Sequence, residues 1–272
     1  LAGGVLVYGI PEFRLPKSVL VRMRDVLAAC GIVVRPNTTI GTNLTIDDLQ
    51  RDGFGAIFIG TGVWRPGKLG LKGESLGNVH YAIDYLRNPD VYALGNRVAV
   101  IGAGNTAMDV ARTVIRHGSR EVTIVFNRGE EEITARKVEA EYARMDGARM
   151  LFRKSTVEFT EEGVILADAR EDEKGNVLPV AGTESLLEAD SAIIAIGQGP
   201  RAVIVSSTRG IDVTGRGLVA VDDCGRTTRE GVFASGDVVT GAKTVVEAVN
   251  VSRRVADAMD EYMRGRAGKN AQ

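Results

Sequence analysis

The sequence predicts an α/β protein made of two Rossmann-like units, one inserted into the other, and three observations carry that prediction. Short apolar, β-branched runs alternate with helix-period segments, as in Ile57-Phe58-Ile59, Val98-Ala99-Val100-Ile101, Val122-Thr123-Ile124-Val125-Phe126 and Ser191-Ala192-Ile193-Ile194-Ala195-Ile196. Glycine is abundant at 33 of 272 residues while aromatics are only 5%, the balance expected of a chain with many tight strand-to-helix turns. The third observation is a G-x-G-x-x-A spacing, Gly102-Ala103-Gly104-Asn105-Thr106-Ala107, placed between a buried strand and a helix in mid-chain.

Taken in order, apolar positions at Val19, Leu20, Met23, Val26 and Leu27 predict a helix over residues 17–30, closed by Gly31 and followed by a strand at Ile32-Val33-Val34. Thr45 with Asp47 and Asp48 marks a short helix start, and Gly55 to Gly62 reads as a buried strand ending in a glycine turn. A glycine-rich connector leads to a helix expected over Val79 to Arg87, which Asn88-Pro89 ends. The glycine motif then opens a βαβ unit: strand to Ile101, helix from about Asn105 to His117, strand Val122 to Phe126. A helix is expected near Ala135 to Met145, then short alternating segments at 150–152 and 164–166, with the charged run 170–174 read as a solvated loop before a hairpin-like turn at Lys174-Gly175-Asn176. The last elements are the strand from Ser191, the strand Val232-Phe233-Ala234-Ser235, and a helix from about Ala242 packed through Val245, Val249, Ala256, Met259 and Met263. The division expected is an outer unit of residues 1–92 and 200–272 around an inner unit of 93–199.

Composition excludes several classes. Lys and Arg total 34 against 35 Asp and Glu, so no net field draws nucleic acid or an anionic membrane. No apolar run is long enough to span a bilayer, and Leu1 to Val5 lacks the basic start of a secretory signal. A cytoplasmic protein with two buried thiols is therefore expected; Cys30 and Cys224 form no C-x-x-C pair and no local metal set. His80 and His117 have no acid-base partner in sequence and read as solvated or capping residues.

In the glycine motif, Gly102 permits the tight turn, Gly104 lets a pyrophosphate approach the backbone, and Ala107 lets the helix pack close to the strand. The helix N-terminus adds amides and a partial positive charge. A dinucleotide site on Gly102, Ala103, Gly104, Asn105, Thr106 and Ala107 follows. Its cofactor choice depends on the residues after the second strand, where an NAD site places an acid on the ribose hydroxyls. Here Phe126 is followed by Asn127 and Arg128, which favours the 2′-phosphate of NADP, while Glu130 keeps NAD open and Arg136 is a weaker second cation.

The segments Tyr8-Gly9-Ile10-Pro11-Glu12-Phe13-Arg14-Leu15-Pro16-Lys17, Phe58-Ile59-Gly60-Thr61-Gly62, Ala107-Met108-Asp109-Val110-Ala111-Arg112, Ala195-Ile196-Gly197-Gln198 and Gly236-Asp237-Val238-Val239-Thr240-Gly241-Ala242 together resemble the small (beta) subunit of NADPH-dependent glutamate synthase. The wider group resembled includes the flavin modules of dihydropyrimidine dehydrogenase, the NADPH-ferredoxin oxidoreductases and, more distantly, adrenodoxin reductase. The resemblance implies an FAD domain around an NAD(P) domain. It assigns Gly197 and Gln198 to NADP, and Gly9, Ile10, Pro11, Lys17, Thr61, Gly62, Gly236, Asp237, Ala242, Thr244 and Val245 to FAD. It also implies hydride transfer from NADPH to FAD, with electrons passing to iron–sulfur clusters of a partner subunit or domain.

This sequence departs from the family in starting after the family's first G-x-G-x-x-G unit and its cysteine-rich segment. The FAD domain is therefore expected to be incomplete, the chain N-terminally truncated, and FAD binding by it weak or absent. Rival readings stay open: electron entry for a ferredoxin-NADP or pyrimidine reductase, or a nucleotide-binding or regulatory fragment without turnover.

Overall fold

The computed structural model describes residues 2–201 and 203–270, with side chains described to residue 266. In chain order the elements are α1 (Val5–Tyr8), α2 (Lys17–Ala29), α3 (Ile46–Arg51), β1 (Ile57–Ile59), β2 (Arg65–Pro66), β3 (Val79–Tyr81), α4 (Ala82–Arg87), β4 (Arg97–Ile101), α5 (Asn105–Arg116) and β5 (Glu121–Val125). They continue as α6 (Lys137–Met145), β6 (Arg149–Leu151), β7 (Lys154–Thr160), β8 (Gly163–Glu171), β9 (Val177–Pro179), β10 (Ser185–Glu188), β11 (Ser191–Ile194), β12 (Gln198–Gly199), α7 (Val203–Ser207), β13 (Val232–Ala234), α8 (Asp237–Thr240) and α9 (Val245–Asn270).

Two compact units result: a larger one of residues 5–27 and 66–197, and a smaller one of 1–4, 28–65 and 198–272. The larger unit centres on a five-stranded parallel sheet in the order β3-β11-β4-β5-β6. Its middle strands bury nearly every side chain, as parallel strands covered on both faces must. One layer of core joins α5 to the sheet through Ala107, Met108, Val110, Ala111 and Val114 against Val98, Val100 and Ile124. The other layer joins the opposite face to an antiparallel sheet, β10-β8-β7 with β9 on β8, through Phe159, Val164 and Leu166 against Ala99, Ile101 and Val125.

Residues 5–27 and 66–92, expected in the outer unit, group with the larger one, and their contacts show why. Strand β3 is an edge of the five-stranded sheet, pairing His80 with Ile193. Arg14 donates to both carboxylate oxygens of Asp109 on α5 at 2.8 and 2.7 Å and pairs with Glu139 of α6 at 2.9 Å. Phe13 lies under the guanidinium groups of Arg112 and Arg116, 4.6 and 4.2 Å from its centroid. Burial pushes the Asp109 carboxyl up to about 6, against the pull of Arg14.

The smaller unit has a two-stranded parallel sheet, β1 with β13, over a core of Ile46, Ile57, Ile59, Ile211, Val219, Val232 and Val238. Thr45 caps α3 through a capping box with Asp48, as its sequence position predicts.

Several local expectations change. Residues 79–81 are strand and only 82–87 helix, because the ladder to β11 overrides the helical spacing. Ile32-Val33-Val34 forms no strand; all three are exposed. Arg170 and Glu171 belong to β8, which pairs with β9 across the 172–176 turn. The buried face of α9 is Val255 and Ala258 with Tyr262 beside them, whereas Val245, Val249 and Met263 are exposed. Cys30 is exposed and Cys224 partly so, and both are free.

Candidate functional site

In an open parallel sheet a ligand crevice forms at the carboxyl ends of the strands, where the strand order reverses. Here β5 follows β4 on one side while β11 returns on the other, and a cleft of about 570 Å³ opens at that point. Its floor is Ile101, Gly102, Ala103, Gly104 and Thr106. One wall is Val125, Phe126, Asn127 and Thr134; the opposite side is Ala195, Ile196, Gly197, Leu69 and Leu71; and Lys154, Ser155, Thr156, Val177 and Pro179 close it.

The glycines have separate reasons to be there. At Gly102, with φ +125°, a Cβ would stand 2.4 Å from the Ala195 carbonyl oxygen, so only glycine lets the turn pass β11. At Gly104 a Cβ would meet only Thr134 Oγ1, 3.6 Å away, so backbone packing does not demand glycine. The free space above Gly104 is the space a pyrophosphate needs. The loop is held by Gly102 N donating to Val125 O at 2.9 Å and Ala135 N to Ala103 O at 3.0 Å. Gly104 is the N-cap of α5 and offers no side chain there, leaving the amides of the first turn to a ligand.

Of the residues expected to meet NADP, Gly102, Ala103, Gly104, Thr106, Asn127 and Gly197 line this cleft. Ala107, on the sheet-facing side of α5, is fully buried, as its packing role requires. Asn105 is not among the lining residues; its Oδ1 accepts from the Arg136 amide at 3.0 Å. Gln198 falls in the smaller unit, in β12, which pairs with β2. Arg128 is also not among them: its Nη1 donates to Glu132 at 2.8 Å and Glu171 at 3.3 Å, and its Nη2 to the Gly175 carbonyl at 2.9 Å. Glu130 pairs with Arg144.

Sequence reasoning missed the antiparallel wall. Its Thr156 Oγ1 is a buried atom without a hydrogen-bond partner among the described residues, and Lys154 is the charged side chain on the cleft. It also missed Glu74, whose carboxylate accepts from the amides of Leu69, Gly70 and Leu71 at 3.1, 2.6 and 3.2 Å and from the Tyr81 hydroxyl at 3.1 Å. Burial raises the Glu74 pKa, but those four donors outweigh it and hold the carboxyl below its ordinary value. The Leu69–Leu71 wall is fixed by this one side chain.

The residues expected to meet FAD divide between the units. In the larger unit Gly9 is buried, and the Lys17 ammonium is turned onto the carbonyls of Leu6, at 2.8 Å, and Ile10, with burial lowering its pKa. Pro11 O accepts from Arg14 N at 3.0 Å, shaping the turn. In the smaller unit Thr61 O accepts from Trp64 Nε1 at 3.0 Å, and Gly62 and Gly236 adopt φ of +68° and +74°. Asp237, half-buried with its pKa raised by that burial, accepts from Lys243 N at 3.1 Å. Ala242 is exposed, Thr244 caps α9 in a reciprocal pair with Glu247, and Val245 begins that helix.

His80 packs edge-on to Tyr92 at 5.0 Å with its pKa lowered by burial, and His117 stands at the C-cap of α5, 3.5 Å from Asp90. Among the described residues no cluster of three His, Cys, Asp or Glu could hold a metal, and no helix is long and apolar enough to cross a membrane.

Fold and cleft together define an α/β dinucleotide-binding protein. The chain belongs to the pyridine nucleotide-disulphide oxidoreductase family, which matches residues 14–253. It is 36% identical over 97% of its length to the NADP(+)-dependent formate dehydrogenase subunit beta of Moorella thermoacetica, covering 39% of that protein. It is 34% identical over 96% of its length to the glutamate synthase [NADPH] small chain of Halomonas elongata, covering 61% of it. The chain thus spans roughly 39–61% of these relatives. Among solved structures, FprA from Mycobacterium tuberculosis superposes with a TM-score of 0.78 at 19% identity over 98% of this chain and 77% of that one. Thioredoxin reductase from T. acidophilum gives 0.73 at 22% identity over 97% and 88%. Both likenesses confirm the fold.

Proposed function

We propose that this chain is the nicotinamide-nucleotide-handling part of an NADPH-dependent flavin oxidoreductase of the glutamate synthase small-subunit type. Electrons would pass onward to iron–sulfur clusters of a partner subunit or domain. The observation that carries it is the cleft: a glycine-floored crevice at the strand-order switch, with no carboxylate among the described residues that line it at the end of β5. An NAD-selective site would put an acid there, and a 2′-phosphate would be repelled by one.

Within that cleft the first-turn amides of α5 hold the pyrophosphate and Gly104 leaves room for it. Asn127 lies at the adenosine end, beside the carboxyl end of β5. The Ala195–Gly197 turn and the Leu69–Leu71 wall lie at the other end, where they orient the nicotinamide and exclude water. The residues suit this cofactor. FAD, when bound, would supply the hydride acceptor; in the smaller unit Asp237 would accept a hydrogen bond from a ribityl hydroxyl, with Thr61, Gly62, Gly236, Ala242, Thr244 and Val245 as its further candidate contacts there, and in the larger unit the candidates are Gly9, Ile10 and Pro11, with Lys17 shaping the loop at Ile10. Hydride transfer between the two cofactors asks no proton of a protein side chain.

Anaerobic mixing of the FAD-supplemented chain with NADPH tests this. With FAD in excess, flavin bleaching matched mole for mole by NADPH oxidation, and faster than in the same mixture without the chain, is the expected result. Nucleotide binding without bleaching would reduce the chain to a binding module.

A further inference from the structure

The cation that would select NADPH is not the one its place in sequence suggests. Arg128 is committed: Glu132 and Glu171 both accept from one guanidinium nitrogen and the Gly175 carbonyl from another. To meet a phosphate, Arg128 would have to give up two carboxylates and a carbonyl together. Lys154 stands on the cleft itself. Its amide donates to the Phe126 carbonyl at 3.1 Å, which pins the first residue of β7 beside the end of β5 and next to Asn127. In this fold the group on the ribose 2′ position is recognised at that place.

Building on the nucleotide reading above, we propose that Lys154 is the specificity-determining residue for the 2′-phosphate of NADPH, with Asn127 alongside it. Its partner does not prevent this. The ammonium donates to Asp168 at 2.6 Å in a solvated pair; the Arg128 pairs are exposed to a like degree, but among the described residues Lys154 has one side-chain acceptor to leave where Arg128 has three. Lysine, a point charge on a flexible stem, can turn from Asp168 to a phosphate oxygen without disturbing the backbone. A salt-screened phosphate contact also implies that the preference for NADP⁺ over NAD⁺ narrows as ionic strength rises.

Calorimetric titration of the full chain with NADP⁺ and with NAD⁺ tests the assignment, using Lys154→Met, Arg128→Met and Asp168→Asn. Lys154→Met is expected to weaken NADP⁺ roughly 10- to 100-fold, the loss of a charged hydrogen bond to phosphate, and to leave NAD⁺ within about twofold. Asp168→Asn, which frees the ammonium, is expected to tighten NADP⁺ alone. If both nucleotides still bind Lys154→Met with an unchanged ratio, or if Arg128→Met collapses the ratio instead, the assignment to Lys154 is wrong while the cleft reading stands. Failure of the unaltered chain to bind either nucleotide would overturn the cleft reading itself and this assignment with it.

Discussion

Alanine at Gly102 and alanine at Gly104 should have opposite consequences, although the two glycines are two residues apart in one loop. At Gly102 the backbone φ of +125° costs a side-chain-bearing residue about 1–3 kcal/mol. The added methyl would also stand 2.4 Å from Ala195 O, an atom of the neighbouring chain segment that can yield only if the end of β11 shifts. Overpacking of that kind costs a further 1–3 kcal/mol or so, giving about 2–6 kcal/mol of lost stability in all. At Gly104 the φ is −85° and the nearest atom to the new methyl is 3.6 Å away, so folding should change by less than about 0.5 kcal/mol. The methyl would instead occupy the pyrophosphate's approach, and NADPH affinity should fall at least about 10-fold, or 1.4 kcal/mol. Urea unfolding followed by circular dichroism, paired with calorimetric NADPH titration, separates the two effects. A Gly104→Ala chain that binds NADPH normally, or a Gly102→Ala chain as stable as the parent, would refute the assignment of structural work to one glycine and ligand space to the other.

Asp109→Asn should remove a pH dependence. The folded carboxyl is raised to about 6 from an ordinary 3.8, so its stabilising contribution is fully present below about pH 4 and is lost as pH rises through about 6. Over that window the parent should lose about 2–3 kcal/mol more stability than the variant, measured by denaturant titration at successive pH values. Met108→Ala, at a fully buried position on α5, should cost about 2–5 kcal/mol by the same unfolding measurement. Met145→Ala, 80% exposed, should stay within about 0.5 kcal/mol. Glu74→Ala should release the Leu69–Leu71 wall, lowering stability by about 1–3 kcal/mol and weakening NADPH in parallel; thermal shift with and without nucleotide reads both.

The parts of the fold legible in the sequence were those whose cause is local. The Val98–Ile101 run, the two glycines and the apolar face of α5 lie within twenty residues and each constrains its neighbour, so strand, turn and helix could be read together. Thr45 and Asp48 are equally local. What could not be read depends on partners far along the chain. Val79-His80-Tyr81 has helix-compatible spacing, yet it becomes a strand because Ala192 to Ile194 stand beside it. Ile32-Val33-Val34 has strand composition but no ladder to join. On α9 the apolar residues offer more than one stripe, and Phe233, reached through β13, selects the one carrying Val255 and Ala258.

The candidate site divides along the same line. Its floor was legible because a glycine spacing encodes a backbone path. Its closing wall was not, because Lys154 and Thr156 reach the cleft through an antiparallel sheet that nothing in the glycine motif announces. The position of Arg128 after β5 suggested a phosphate ligand; Glu171 and the Gly175 carbonyl, some forty residues away, occupy it instead.

The most direct test of the central claim, that this cleft is an NADPH site, is calorimetric titration of the unaltered chain with NADPH and NADH side by side. One NADPH bound per chain, at least about tenfold tighter than NADH, is the predicted result. Equal affinity for the two nucleotides, or no binding of either, would contradict it.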